Sequence, residues 1–223
     1  MTFEFRNYGK IPRWVNEHVW VSEKIDGSNS CVVIEKLTTA EVTYFWGIQA
    51  PDAVKFLYFK DEAYVVRAQS RNKFITPGKG KDNFGFAQYV LDNADALVSV
   101  LGVGYHYGEY YGSGIQSGYG LLTGEKHFAL FPTHRVSRLS DNFEQIMSIP
   151  GLEIAPELYE GPFGEGNCIE DCLNLLRENG SFAHSARGFA RPEGVVVQFK
   201  LSGARYKAFV VEDGPKTLKE GRV

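Results

Sequence analysis

An amine and a carboxylate stand two residues apart in Glu23-Lys24-Ile25-Asp26-Gly27-Ser28-Asn29. On extended backbone alternate residues share a face, so Lys24 and Asp26 are presented side by side just ahead of Gly27, where the chain can reverse. Such a lysine can act as a nucleophile. An unperturbed lysine amine is protonated up to about pH 10.4, so at neutral pH a lysine reacts only where burial, a nearby cation or a metal favours the uncharged form. Read alone, the same residues also fit a hairpin whose Asp-Gly is turn chemistry and whose lysine is solvated. Other ionic residues sit beside strand-forming sequence. Glu109 lies in Gly108-Glu109-Tyr110-Tyr111-Gly112, with Ile115-Gln116 after it; Glu193 precedes Gly194-Val195-Val196-Val197; Lys200 and Lys207 lie near the end. Any one of these by itself reads as a charge guarding a sheet edge.

The elements that must position these groups are mostly strands. Val19 to Lys24, Ser30 to Leu37 and Val42 to Ile48 are rich in Val, Ile, Tyr and Trp and are separated by turn residues, which predicts successive antiparallel strands. Ala63 to Ser70 continues the sheet. Phe86, Val90, Leu97, Val98 and Leu101 then recur at helical spacing, with Asp82 or Asn83 to cap the start and Gly102 beyond the end. His127 to Phe131 reads as a strand, Asp141 with Glu144 as a helix start, and Leu152 to Tyr159 as another strand. Asn167 with Glu170 repeats the capping-box spacing ahead of an apolar helix face that Gly180 stops. Gly194 to Lys200 and Arg205 to Val211 are the last strands. The expected class is α+β, mainly antiparallel sheets flanked by helices. No repeat or linker divides the chain, so residues 1–223 are expected to form one domain.

With 14% aromatic residues the chain is no disordered polymer, and its apolar runs are strand-sized, too short to span a bilayer. Met1 to Lys10 lacks the apolar core of a secretory signal, and three cysteines make no disulfide framework, so a cytoplasmic protein is expected. Cys168 and Cys172 lack a second ligand pair and are flanked by Ile169 and Leu173, which argues against zinc. A net charge of −3 draws no nucleic acid to the molecule as a whole, so such a partner needs a local patch. The segment 71–81 is the candidate: it carries Arg71, Lys73, Lys79 and Lys81, no acidic residue, and the turn formers Pro77, Gly78 and Gly80. It fits a solvated loop or a phosphate-binding one.

Taken together and in this order, the polar groups resemble the signature of the covalent nucleotidyltransferase superfamily of polynucleotide ligases and mRNA capping enzymes. Motif I corresponds to Lys24 to Gly27, motif Ia to Ser70-Arg71-Asn72, motif III to Gly108 to Gly112, motif IIIa to Phe128 to Phe131, motif IV to Glu193 to Val197 and motif V to the strand with Lys207. Asn29, the Ile115-Gln116 pair and the compact spacing are most similar to the ATP-dependent RNA-ligase branch. The resemblance implies a nucleotidyltransferase (adenylation) fold without a C-terminal accessory domain, since only 16 residues follow Lys207. It also implies a lysyl-AMP on Lys24, passed to a 5′-phosphate end that is then sealed to a 3′-hydroxyl.

By the same resemblance, Glu109 binds the ribose, Phe128 stacks on adenine, and Glu23 counts among the nucleotide-binding residues. Lys207, with Lys200 as its rival, neutralises the α-phosphate; Asp26 and Glu193 hold Mg²⁺ or Mn²⁺ through water. Arg71 orients ribose or terminal phosphate, and Asn29 acts in the later steps. The RNA ends, free or at a nick in a duplex, are expected on Asn29, Arg71, Lys73, Lys79 and Lys81, and a protein partner or oligomer is not indicated. Three features depart from the pattern: Pro132 follows Phe131 where an acidic residue is usual, Tyr110 and Tyr111 follow Glu109, and the last strand has one lysine instead of a close pair. A DNA ligase, a GTP-using capping transferase and a non-catalytic nucleotide-binding protein are the competing readings, and covalent labelling by ATP or GTP separates them.

Overall fold

The computed structural model describes residues 15–39, 52–133 and 141–211, with Lys10, Arg13, Glu41, Val42, Val136 and Ser137. Its strands are β1 (His18–Lys24), β2 (Ser28–Lys36), β3 (Lys55–Phe59), β4 (Glu62–Ser70), β5 (Phe74–Ile75), β6 (Gly104–Gly112), β7 (Lys126–Leu130), β8 (Leu152–Ile154), β9 (Glu157–Pro162), β10 (Gly194–Phe199) and β11 (Arg205–Phe209). The helices are α1 (Phe86–Leu101), α2 (Phe143–Met147) and α3 (Cys168–Asn179). The strands form two sheets, one ordered β11-β10-β1-β9 and the other β3-β4-β2-β6-β7-β8 with β5 beside β4. Every pairing is antiparallel except that of β7 with β8. The class is therefore the α+β expected from the sequence.

Each sheet buries one face under a helix. Phe86, Val90, Ala94, Leu97 and Leu101 line the inner stripe of α1 and pack on Val32, Ile34, Val66, Ala68, Tyr110, Phe128 and Leu130 of the larger sheet. The Asp82 carboxylate accepts hydrogen bonds from Ala87 N–H at 2.8 Å and Gln88 N–H at 3.1 Å, satisfying donors a helix start leaves open. Gly102, at φ 67°, ends the helix with its N–H on the Val98 carbonyl. On the smaller sheet, Cys168, Cys172, Leu173 and Leu176 of α3 cover Val19, Val21, Val195 and Val197. Asn167 makes no side-chain cap here, and Glu170 instead accepts from Arg177 at 2.6 Å, so the expected capping box is not formed.

The connection expected to be a hairpin is a bridge between sheets. β1 pairs with β10 and β9, whereas β2 pairs with β4 and β6, so Ile25-Asp26-Gly27 carries the chain from the smaller sheet to the larger. The reading of Leu152 to Tyr159 as one strand is corrected in the same way: β8 belongs to the larger sheet, β9 to the smaller, and the chain crosses at Ala155-Pro156. A third apolar cluster of Ile25, Tyr111, Tyr119, Ala129, Ala155, Ala183 and Ala186 lies around these crossings. Glu41 caps a helical turn that Val42 closes by donating to the Thr38 carbonyl, so Val42 is not in a strand; the rest of the expected strand 42–48 falls outside the described residues. Among the described residues no helix is long and apolar enough to cross a membrane.

Candidate active site

Lys24 closes β1 directly opposite Gly194 of β10, the neighbour of Glu193. That register brings side chains 169 positions apart in sequence into contact, Lys24 Nζ lying 2.5 Å from Glu193 Oε2, each about a quarter exposed. Gly194 has to be glycine: a Cβ there would come 2.0 Å from the Ala208 carbonyl, and its φ of 157° lies where side chains are strained. Gly27 serves the other sheet. A Cβ on it would lie 2.5 Å from the Tyr110 carbonyl, so only glycine lets the crossing chain press against β6.

This close approach delivers the third group. Gly27 N–H donates to the Glu109 carboxylate, and Lys24, Arg71 and Glu193 are all near enough to act on it. Burial pushes the Glu109 carboxyl up to about 7; Lys24 and Arg71 pull it back, while the Glu193 charge raises it further. Strand register places the rest of this row. Asn29 faces Glu109 across β2 and β6, and Ala129 faces Glu109 across β6 and β7. Ser28 is held by Asn83, whose amide donates to its hydroxyl at 2.7 Å. An amine, two carboxylates and a guanidinium thus meet where the two sheets exchange chain, an arrangement suited to polyanion binding and proton transfer.

The RNA ligase family model matches residues 17–209. The chain belongs to the RNA ligase family. No curated protein matches it. Among solved structures, it is similar to Naegleria gruberi RNA ligase with PPi at 18% identity and TM-score 0.52, covering 87% of this chain and 50% of that one. A point mutant of the same ligase with AMP and Mn gives 15% identity and TM-score 0.51, with the same coverage. The likeness shows a shared fold, and the chain spans about half the length of these ligases.

The RNA ligase motifs do not all converge in this chain. Lys207 pairs in register with Val196, which faces Ser22, two residues from Lys24, so it lies on the same open face as the lysine. Lys200 follows β10 beside His18, six residues along β1 from Lys24 and so about 20 Å away. It is paired with Glu160 and stacked 4.3 Å from the centre of Trp20, so of the two lysines Lys207 is the one near the Lys24 amine.

Phe128 needs correction. It is fully buried against Phe86 and Tyr110 under α1, on the opposite face of the larger sheet from Glu109. The next residue on the Glu109 face after Ala129 is Phe131, partly exposed and hydrogen-bonded to Tyr107 through its backbone N–H. Glu23 also departs from expectation: its carboxylate points away from Lys24, is 2% exposed, and accepts from Tyr119 Oη and Phe182 N–H, both at 2.8 Å. Burial raises its pKa. Asp26 lies in the crossing link, partly buried; Arg71 and Lys73 are exposed in the turn between β4 and β5, and Lys79 and Lys81 are exposed after β5.

Sequence reasoning missed the support behind the lysine. Tyr119 is fully buried in the left-handed region, φ 46°, and its hydroxyl reaches both Glu23 and the Lys24 carbonyl, the latter at 3.4 Å. Glu153, 1% exposed, plays the same part on the larger sheet, accepting from Tyr111 and from the Ser185 N–H and hydroxyl. Two buried carboxylates, one per sheet, therefore tie the segment 181–185 to both sheets. A glutamate flanked by Val, Ser and Lys on a strand of alternating burial was the available signal for Glu23; a tyrosine at positive φ leaves none.

Proposed function

We propose that this chain is an ATP-dependent RNA ligase in which Lys24 carries AMP between ATP and an RNA 5′-phosphate. The observation that carries the reading is the Lys24–Glu193 contact at the crossing of the two sheets, beside Glu109 and Arg71. Lys24 Nζ gives its proton to Glu193, and its lone pair forms a P–N bond to the α-phosphorus while the bond to pyrophosphate breaks. A 5′-phosphate oxygen then displaces the lysine, forming a pyrophosphate link to AMP. Attack by a 3′-hydroxyl forms the phosphodiester and releases AMP. Lys207 and Arg71 supply positive charge to the phosphates as it develops. Glu109 takes the ribose, Phe131 offers the adenine a ring, and Asn29, next to Glu109, serves the RNA end.

A metal fits the carboxylates present. Among the described residues no cluster of three or more His, Cys, Asp or Glu makes an all-protein cage. Magnesium keeps most of its waters and needs only one or two carboxylates, which Asp26 and Glu193 provide; bound there, it would screen phosphate charge. The Naegleria ligase structures with AMP and Mn or with PPi are in keeping with this ligand set. The reading takes residues 17–209 as one nucleotidyltransferase unit, with the loop carrying Lys73, Lys79 and Lys81 as its phosphate grip. Incubation with labelled ATP or GTP and Mg²⁺, followed by denaturing electrophoresis, tests it. A covalent label from ATP is expected; a label from GTP alone would indicate a capping transferase, and none from either would end the ligase reading.

A further inference from the structure

The face of the larger sheet that carries Glu109 continues beyond the catalytic row, and register defines what lies there. One row out, Gln69 faces Cys31, Cys31 faces Tyr107, and the Tyr107 carbonyl holds the Phe131 N–H. The next row runs Arg67, Val33, Tyr105. Successive rows are about 7 Å apart, two residues along a strand. Phe74 of β5 faces Gln69 and so joins the same surface, with the Arg67 guanidinium 5.8 Å from its ring centre.

These rings are exposed, Tyr105 by 57%, Tyr107 by 44% and Phe74 by 40%, although each stands in a strand with a fully packed opposite face. Tyr105 and Tyr107 lie nearly parallel, 14° between planes and 6.2 Å between centres. Beneath them the floor is small and closed, Cys31 and Val33 each being 1% exposed. Large aromatic rings in the open, ranked on one sheet face over a packed floor, are costly in water and are what single-stranded nucleic acids stack on. Arg67 is paired with two carboxylates, Glu35 and Asp52, so the surface itself offers ring faces and no net positive charge. Charge is supplied next to it: β4 leads from Arg67 and Gln69 into Arg71 and the basic loop 71–81.

We infer that Tyr107, Tyr105 and Phe74 form a stacking platform for unpaired bases of the RNA, leading the strand out from the Glu109 row while the basic loop holds its phosphates. The inference rests on the ligase reading and specifies how that site grips its polynucleotide. It divides the labour: stacking does not release counterions, whereas each lysine on a phosphate does.

The test uses the whole chain and a 5′-phosphorylated single-stranded oligoribonucleotide, with a second probe of the same length bearing abasic positions. Binding is followed by fluorescence anisotropy across a salt series, and thermal melting checks that the variants fold. The Tyr105→Ala/Tyr107→Ala protein should bind the base-bearing probe at least roughly thirtyfold more weakly than wild type, as the loss of two stacking rings requires. Its salt slope should be unchanged, and its preference for bases over abasic sites should be lost. Tyr105→Phe/Tyr107→Phe should restore both affinity and preference. Wild-type affinity in the alanine variant, or an undiminished preference for bases, would overturn the platform. ATP labelling of the wild-type protein separates this from the parent reading: a covalent label with no ring-dependent binding removes the platform alone, while ring-dependent binding without a label supports the platform and removes the ligase.

Discussion

Replacing Glu109 by glutamine should make the protein more stable at neutral pH while disabling it. The carboxyl is pushed up to about 7 chiefly by burial, so the folded chain holds this proton more tightly than the unfolded chain, where an ordinary glutamate titrates near 4.5. Below about pH 4.5 both states are protonated and nothing is lost. Between there and pH 7 the folded state carries the extra proton, and stability falls as pH rises. Above pH 7 the loss is complete, at about 3 kcal/mol from a shift of this size at 1.36 kcal/mol per unit. Glutamine keeps an oxygen to accept the Gly27 N–H but carries no charge to desolvate. Urea unfolding at a series of pH values from 5 to 8 should therefore show wild type and Glu109→Gln converging in acid. At pH 8 they should separate by about 3 kcal/mol, or roughly 6–12 °C in melting temperature for a chain of this size. Glu23, also raised by burial, titrates in both proteins and cancels in the difference. Parallel stability curves would refute the burial argument, and a Glu109→Gln protein that still labels with ATP at the wild-type rate would take the ribose role from Glu109.

Phe128→Ala should cost about 3–5 kcal/mol of stability because it hollows the core under α1, whereas Phe131→Ala should melt near wild type and weaken ATP binding; equilibrium unfolding and nucleotide titration distinguish them. Tyr119→Phe removes a donor from the buried Glu23 carboxylate and should destabilise by about 1–3 kcal/mol, an effect that unchanged urea midpoints would contradict. The triple change of Lys73, Lys79 and Lys81 to alanine should flatten the salt dependence of AMP transfer to a 5′-phosphate, by a slope of about 0.7 for each phosphate that a lysine no longer holds. An unaltered slope would take the loop away from the RNA.

How much the sequence disclosed depended on whether the signal was local. Helix α1 was legible because Phe86, Val90, Leu97 and Leu101 repeat at its period and Gly102 stops it. The candidate set of Lys24, Glu109 and Glu193 was singled out by the order of its motifs, and the fold brings these three together. Strand partners were not, because the residues of Val19 to Lys24 fit pairing with β2 as well as with β10, and only long-range packing decides. Phe128 was misplaced for a related reason: Phe128, Ala129 and Leu130 are all buried, so β7 shows no alternation to tell its faces apart. Separating Lys207 from Lys200 required the pairings of β10 with β1 and β11, which put Lys207 two residues along the sheet from Lys24 and Lys200 at its far end. The aromatic surface at Tyr105 and Tyr107 lies just ahead of the Gly108 to Gly112 motif and carries no motif of its own, yet its alternate spacing was readable once β6 was known to be a strand.

The central claim is that Lys24 is the nucleophile, and the most direct measurement is peptide mapping of the intact protein after incubation with ATP and Mg²⁺. The account predicts one added AMP, located on Lys24 by fragmentation, labile in acid, and absent from both Lys24→Ala and Lys24→Arg proteins, because a guanidinium stays protonated and cannot attack phosphorus. An AMP found on another residue, or an adduct that persists in Lys24→Arg, would contradict it.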